Sequence, residues 1–273
     1  MKYIQNFENY VKGPKNISFM ALDWDDNILF LKTKIHLEKM VNGEWEPYDV
    51  STAEFAEMRS LVNGKDFRML DNDSKKTFGD FGDYDCFLND TREALSAKRF
   101  GPSFRAFIKC LVDGNLFAII TARTATAKAI RAGVEVIIFE YLSPEQQDEM
   151  ISNLMMYNEL YGKNPESVID NYLNWCDYFG VNSPEFKKKY GNSGDVSSPE
   201  EGKKTALKVF ADKCQKLCKQ IGAFAKLGFS DDDLKNVDAI KKYFNEIASE
   251  YNITFSVFDT SDPKLKGGVK TKI

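Results

Sequence analysis

A chain of 273 residues, 43% of them hydrophobic and 13% aromatic, can bury a sizeable core plus an accessory element, which excludes a disordered protein. Its formal net charge of -4 lacks the basic footprint that dominates binding along phosphate backbones, so long duplex nucleic acid is not an expected partner. Five scattered cysteines fit reduced thiols, no apolar leader opens the sequence, and no run reaches the roughly 18 apolar residues of a membrane span; the chain reads as soluble and cytoplasmic, with no membrane partner.

The breaker pair Gly13-Pro14 precedes Ile17–Leu22, a short apolar run that predicts a buried strand and ends in the acids Asp23, Asp25 and Asp26. A first insertion covers about Phe30 to Lys98. It begins with the alternating stretch KTKIHLEKMVNGEWEPYDV, where Asn42-Gly43 predicts a hairpin, and continues into helix-like STAEFAEMRSLV and the acidic loop DNDSKKTFGDFGDYD. Phe104, Phe107, Ile108, Leu111 and Val112 keep helical spacing behind Gly101-Pro102-Ser103, with Gly114 as the stop. Strands are expected at Leu116–Ile120 and Val134–Phe139. A second insertion, about Tyr141 to Asp195, reads as mostly helical, with Ser143-Pro144 as N-cap and first helical residue, and Gly162, Pro165, Gly180 and Pro184 as divisions. Ser198, Pro199 and Glu201 then predict another helix start, closed by a capping box. Further strands are expected at Ala223–Phe229 and Ile253–Phe258, around a helix carrying Val237, Ile240, Tyr243, Phe244 and Ile247; the charged end KLKGGVKTKI is expected to fray. Strands alternating with helices of this length predict an α/β fold with a doubly wound parallel sheet, formed by residues 1–29 and 99–273, with 30–98 inserted as a separate element and about 141–195 as a helical insertion.

Ligands of such sheets bind beyond the carboxyl ends of the strands, where Asp23 falls. Asp25, two residues on, starts on the same side if the extended conformation persists. Two unit charges roughly 4 Å apart repel by about 4 kcal/mol at an effective dielectric near 20, so such a pair calls for a cation or a shared proton. The alternative is that these acids cap the following turn. A second acidic cluster, Asp231, Asp232 and Asp233, also follows an expected strand. Together the clusters make an oxygen-rich site without histidine or cysteine, which suits Mg²⁺ rather than zinc. The single histidine, His36, falls in the hairpin and reads as an ordinary solvent-facing residue. At a third strand end, Thr121 and Arg123 offer a hydroxyl and a guanidinium suited to phosphate oxygens, although Thr121 reads equally as a helix N-cap. Lys203 and Lys204 sit in the first turn and a half of a helix, where cations oppose the macrodipole unless an anion is near. Lys204 reads equally as part of a solvated basic face with Lys208.

Asp23-Trp24-Asp25, Thr121, Lys203 in KKTAL, and Asp231-Asp232, in that order, resemble the four motifs of the haloacid dehalogenase-like superfamily of phosphohydrolases. The resemblance spans roughly residues 15 to 260 and covers neither insertion. It implies a Rossmann-like core, Asp23 as a nucleophile that forms an aspartyl-phosphate, and Asp25 as the acid that protonates the leaving oxygen and then activates water. It further implies Mg²⁺ held by Asp23, the main-chain carbonyl of Asp25, Asp231 and Asp232, with Thr121 and Lys203 binding phosphoryl oxygens. Residues 30–98 would be a cap over the substrate, in which Phe78, Phe81 and Tyr84 either stack on a base or belong to a core. Thr121-Ala122-Arg123 is similar to members acting on nucleotides or nucleic-acid ends, including the phosphatase half of polynucleotide kinase, with Arg123 on the phosphate. Two features depart from the family pattern. Asp26-Asn27 stands where the family often has Gly-Thr, and the acidic triplet leaves the metal aspartate open by one register, with similarity to D-D-S-P-R-N-V favouring Asp231. The expected activity is a Mg²⁺-dependent phosphomonoester hydrolase acting on a small phosphorylated substrate such as a nucleotide or oligonucleotide end. Phosphoryl transfer between sugar phosphates and a catalytically weak phosphate-binding scaffold are the alternatives.

Overall fold

The structure, a computed structural model, describes residues 16–157, 161–191, 198–262, 264–265 and 267–273; the Gly13-Pro14 pair and the far edge of the second insertion near Asp195 lie outside them. The strands are β1 (Asn16–Leu22), β2 (Ile35–Val41), β3 (Glu44–Val50), β4 (Phe67–Met69), β5 (Phe117–Thr121), β6 (Asp177–Gly180), β7 (Phe224–Asp231), β8 (Ile253–Asp259) and β9 (Val269–Lys272). Six of them form the main sheet in the order β6-β5-β1-β7-β8-β9. All pairings are parallel except that of β9 with β8. From β1 the chain builds outward to β5 and β6 on one side, then returns to add β7 and β8 on the other. The reversal leaves a crevice at the carboxyl end of β1.

β1 is apolar along most of its length because helices cover both faces of a parallel sheet, and Phe19, Ala21 and Leu22 are buried. Its register with β7 runs without a break from Asn16↔Phe224 to Leu22↔Ser230. The Asp23 amide extends the ladder by donating to the Ser230 carbonyl at 2.9 Å. The residue after β1 is thereby brought level with the last residue of β7.

The helices are α1 (Thr52–Met58), α2 (Ser74–Thr77), α3 (Tyr84–Ser96), α4 (Phe104–Val112), α5 (Ala127–Val136), α6 (Pro144–Met155), α7 (Pro165–Trp175), α8 (Pro184–Tyr190), α9 (Pro199–Ile221) and α10 (Leu234–Ile247). Ser143 caps α6 as expected, in a reciprocal box with Gln146. The expected strand at Val134–Phe139 does not form. α5, capped by Thr126, runs into a wider π-type turn at Ile137–Tyr141. Ile130, Val134, Ile137 and Ile138 are buried and share one helical face, so packing overrides the strand preference of β-branched residues. The parallel strand on that side is instead β6, whose four residues are too few to show a period. The tail does not fray throughout: Val269–Lys272 pairs with β8 as a lysine-bearing edge strand, a composition that discourages further strand addition.

The remaining strands form a separate sheet ordered β3-β2-β4. Asn42 and Gly43 both adopt positive φ, +51° and +91°, as the primed two-residue hairpin turn requires. Ser51 and Glu54 box the start of α1. This smaller body has its own apolar cluster of Ile35, Leu37, Val50 and Phe81, with Phe55, Met58, Val62 and Phe78 packed against it. Phe78 and Phe81 are therefore core residues, whereas Tyr84 stays exposed. α3 belongs physically to the main core, burying Phe87, Leu88, Ala94 and Leu95 there. Among the described residues no helix is long and apolar enough to cross a membrane, and all five cysteines are unpaired.

His36 is not the free solvent-facing residue expected. Nδ1 lies 2.8 Å from Asp49 Oδ1 and Nε2 lies 2.9 Å from Asp80 Oδ2, so the ring joins the hairpin to the Gly79–Phe81 turn. The Asp49 hydrogen bond raises its pKa, burial opposes the rise, and Asp80 adds to it. Stability from a raised pKa is fully present below the unfolded value near 6.5 and is lost as pH climbs through the folded value. His36→Asn is therefore expected to be less stable than the parent by up to about 1 kcal/mol at pH 6, with the gap closing toward pH 9, as measured by urea unfolding. A gap that widens with pH would contradict this linkage.

Candidate active site

Asp23 follows β1, Asp231 ends β7, and Lys203 lies on the first turns of α9, so three elements converge at the crevice. Asp23 is 7% exposed, Asp231 0% and Lys203 1%. The Lys203 ammonium donates to Asp231 Oδ2 at 2.6 Å and lies 3.3 Å from Asp23 Oδ1. The second contact is an ion pair without hydrogen-bond alignment, and Asp23 Oδ1 has no directed donor. Asp231 Oδ1 accepts from the Asp233 amide at 3.0 Å and from Asn236 Nδ2 at 3.1 Å. Burial raises the Asp23 pKa, Lys203 opposes the rise, and Asp231 and Asp25 add to it. Burial likewise raises Asp232, followed by the charges of Asp231 and Asp23. For Lys203 burial works against the ammonium, but the attraction of Asp23 and Asp231 outweighs it and lifts its pKa above the ordinary value.

One carboxylate oxygen from each of Asp23, Asp231 and Asp232 lies within 4.8 Å of the others. Three carboxyl groups meet one ammonium there, so their joint ionisation calls for further positive charge. An all-oxygen set of this kind fits a hard divalent cation such as Mg²⁺. The rest of the acidic triplet and lysine pair has other work. Asp233 caps α10 by accepting from the Lys235 amide at 2.8 Å, and Arg59, just after α1, lies 3.6 Å from it and 3.5 Å from Glu200. Lys204 binds Glu201 at 2.7 Å. Only half of the capping box expected at Ser198 forms, because the Glu201 carboxylate turns to Lys204 while its amide donates to Ser198 Oγ.

Asp25 faces the opposite wall. Arg123 Nε and Nη2 donate to its two oxygens at 2.8 Å each, in bidentate geometry. Thr121 Oγ1 donates to Asp25 Oδ2 at 3.3 Å and accepts the Arg123 amide at 3.3 Å. Thr121 is not a helix N-cap; Thr126 takes that position. The Arg123 guanidinium has no solvent exposure and stacks against Phe81 and Phe87, with ring centroids 4.6 and 4.9 Å away. Arg123, expected to grip phosphate oxygens, is thus turned onto Asp25.

Asn27, one of the two residues that depart from the family pattern, organises the acidic loop. Its amide nitrogen donates to the carbonyls of Asp23 and Ser230 at 3.1 Å, and its oxygen accepts from Ser230 Oγ at 3.0 Å and Thr260 Oγ1 at 2.8 Å. Every hydrogen-bonding position of the side chain is used, which pins the acidic loop to β7 and the end of β8. Little in the sequence marks it, since two of its partners, Ser230 and Thr260, lie more than 200 positions away. Asp26 also gains a reason. Its φ of +57° is left-handed, a conformation that glycine takes freely and that aspartate tolerates better than most residues. Its carboxylate accepts from Thr52 Oγ1 at the start of α1, linking the loop to the smaller sheet. Burial, opposed by that hydrogen bond, pushes its pKa up to about 6.

Compared with family models, with curated proteins and with solved structures, the chain finds no match.

If Lys203 balances carboxylates that also hold a cation, Lys203→Met in cation-free buffer is expected to lose about 3–5 kcal/mol of stability, the usual result of stranding buried charge. Millimolar Mg²⁺ should then recover more stability in the variant than it adds to the parent, as read by thermal unfolding. Equal Mg²⁺ responses in both proteins would contradict a shared site.

Proposed function

We propose that this chain is a Mg²⁺-dependent phosphomonoester hydrolase of the haloacid dehalogenase-like type. The observation that carries the reading is the buried Asp23 oxygen without a directed donor, set beside Asp231, Asp232 and Lys203. That oxygen is free to act as a nucleophile, and its surroundings can receive the anionic group it would attack.

Asp23 attacks phosphorus in line as the ester oxygen departs, forming an acyl phosphate on the carboxylate. The departing oxygen takes a proton from Asp25. Water then attacks the phosphorus of the aspartyl-phosphate and gives a proton to Asp25, the bond to Asp23 breaks, and inorganic phosphate leaves. Lys203 neutralises charge beside the transferred group, and Thr121 contributes its hydroxyl when released from Asp25. Mg²⁺, held by Asp23, Asp231 and Asp232 with the Asp25 carbonyl, would supply electrostatic stabilisation of the phosphoryl oxygens. In the arrangement seen, both Asp25 oxygens accept from Arg123. Proton donation requires one Asp25 oxygen to turn away from Arg123.

The substrate reading is a small phosphorylated molecule, a nucleotide or an oligonucleotide end among the first to test. Burial of Asp23 and Lys203 also favours a second reading, transfer to a sugar phosphate acceptor, because exclusion of water is what a transferase needs.

A panel of p-nitrophenyl phosphate, 5′- and 3′-nucleotides, sugar phosphates and phosphorylated oligonucleotide ends is expected to yield Mg²⁺-dependent phosphate release. Asp23→Asn should lower kcat on the order of 10³-fold or more. Formation of a phosphorylated sugar when an acceptor is present, with no phosphate released in its absence, would select the transferase. Absence of turnover across the panel, with Mg²⁺ bound, would refute an enzyme of this kind.

A further inference from the structure

The linker before β2 and the middle of α3 carry two residues that none of the motifs contains. Thr33 is 5% exposed and sits behind the Arg123 guanidinium. Arg123 Nη2 donates to Thr33 Oγ1 at 2.7 Å. Thr33 Oγ1 donates its single proton to Asp90 Oδ2 at 2.6 Å. A hydroxyl has one hydrogen, so the direction of this chain is determined: Asp90 accepts from Thr33, Thr33 accepts from Arg123, and Arg123 donates to Asp25.

We propose that Thr33 and Asp90 are positioning residues for Asp25, acting through Arg123 in a buried relay that orients the guanidinium and, with it, the carboxylate next to the nucleophile. The inference rests on the phosphohydrolase reading above. Phe81 and Phe87 pack against the guanidinium with ring centroids 4.6 and 4.9 Å away, contacts that carry no in-plane direction. Thr33 fixes the guanidinium from the side away from its carboxylate partner, adding a directional restraint to the Asp25 pair. Nη2 donates one hydrogen to Asp25 and the other to Thr33, whereas Nη1 has no partner and cannot replace either. Asp90 in turn prevents the Thr33 hydroxyl from rotating its proton toward Arg123. The relay also bridges separate parts of the chain, since Thr33 stands where the polypeptide leaves the main sheet and Asp90 lies on the helix by which it returns.

A misplaced Asp25 affects the two halves of the reaction unequally for p-nitrophenyl phosphate. Its leaving group needs little proton donation, so kcat/KM, which covers the steps through departure of p-nitrophenolate, depends weakly on Asp25. Hydrolysis of the acyl phosphate depends on the base and enters kcat. Thr33→Val, close to isosteric, is expected to lower kcat about tenfold while changing kcat/KM less than about twofold, with a burst of p-nitrophenolate before the steady state. Thr33→Ser keeps the hydroxyl and should restore kcat. Asp90→Ala, at a half-exposed position tolerant of truncation, should shift kcat in the same direction by a smaller factor. If Thr33→Val lowers kcat and kcat/KM equally without a burst, or if Thr33→Ser behaves like Thr33→Val, the role is only structural and the inference is overturned. Unchanged kinetics in both Thr33→Val and Asp90→Ala would overturn it as well. These outcomes presuppose a parent enzyme that turns over; an inactive parent refutes the phosphohydrolase reading itself, and the relay with it.

Discussion

The unbroken parallel register between β1 and β7 is the constraint on which the site depends. It sets Asp23 level with Asp231 and would force two buried carboxylates together in a low-dielectric crevice if nothing else were present. Repulsion of that kind is tolerated only with compensating positive charge. Lys203 supplies part of it from α9. The strain of assembling like charges is offset by the main core, where Phe19, Leu22, Phe210, Phe229 and their neighbours are buried almost completely.

Two systems of polar side chains hold the acidic loop in place. On one side Asn27 spends all its hydrogen-bonding capacity on β7 and the end of β8, so the loop is tied to the strands that carry the second acidic cluster. On the other, Arg123 and Thr121 hold Asp25 against the end of β5. Asp23 and Asp25, two residues apart, thereby face different partners: a lysine and two acids for the first, an arginine and a hydroxyl for the second. The separation of roles proposed for them has a physical basis in this difference of surroundings.

The smaller sheet touches the site at three described places. Thr52 reaches Asp26, Arg59 approaches Glu200 and Asp233, and Phe81 lies against Arg123. Two of these contacts come from the two ends of α1 and one from the Gly79–Phe81 turn, so the small body meets the site at more than one point. His36 adds internal stiffness by joining its hairpin to the turn that carries Phe81.

Local pattern was sufficient where burial and period coincide. The strands carrying Asp23 and Thr121, the hairpin at Asn42-Gly43 and the starts of α6 and α9 were legible because apolar runs, primed-turn residues and capping residues act over a few positions. The same local reasoning failed at Val134–Phe139, where β-branched residues face a helical core contact, and at β6 and β9, which are strands only because a neighbour supplies the ladder. At the site, residue type singled out Asp23, Asp25, Thr121, Arg123, the pair Lys203-Lys204 and the triplet Asp231–Asp233, and only the resemblance selected Lys203, Asp231 and Asp232 among them. Tertiary structure alone decided that Arg123 turns to Asp25, that Asp233 and Lys204 serve their own helices, that Asn27 ties the acidic loop to β7, and that Thr33 and Asp90 bond in line behind Arg123. The physical reason is directional. Charge and hydroxyl chemistry belong to the residue, but which partner a donor meets depends on atoms brought together from distant parts of the chain.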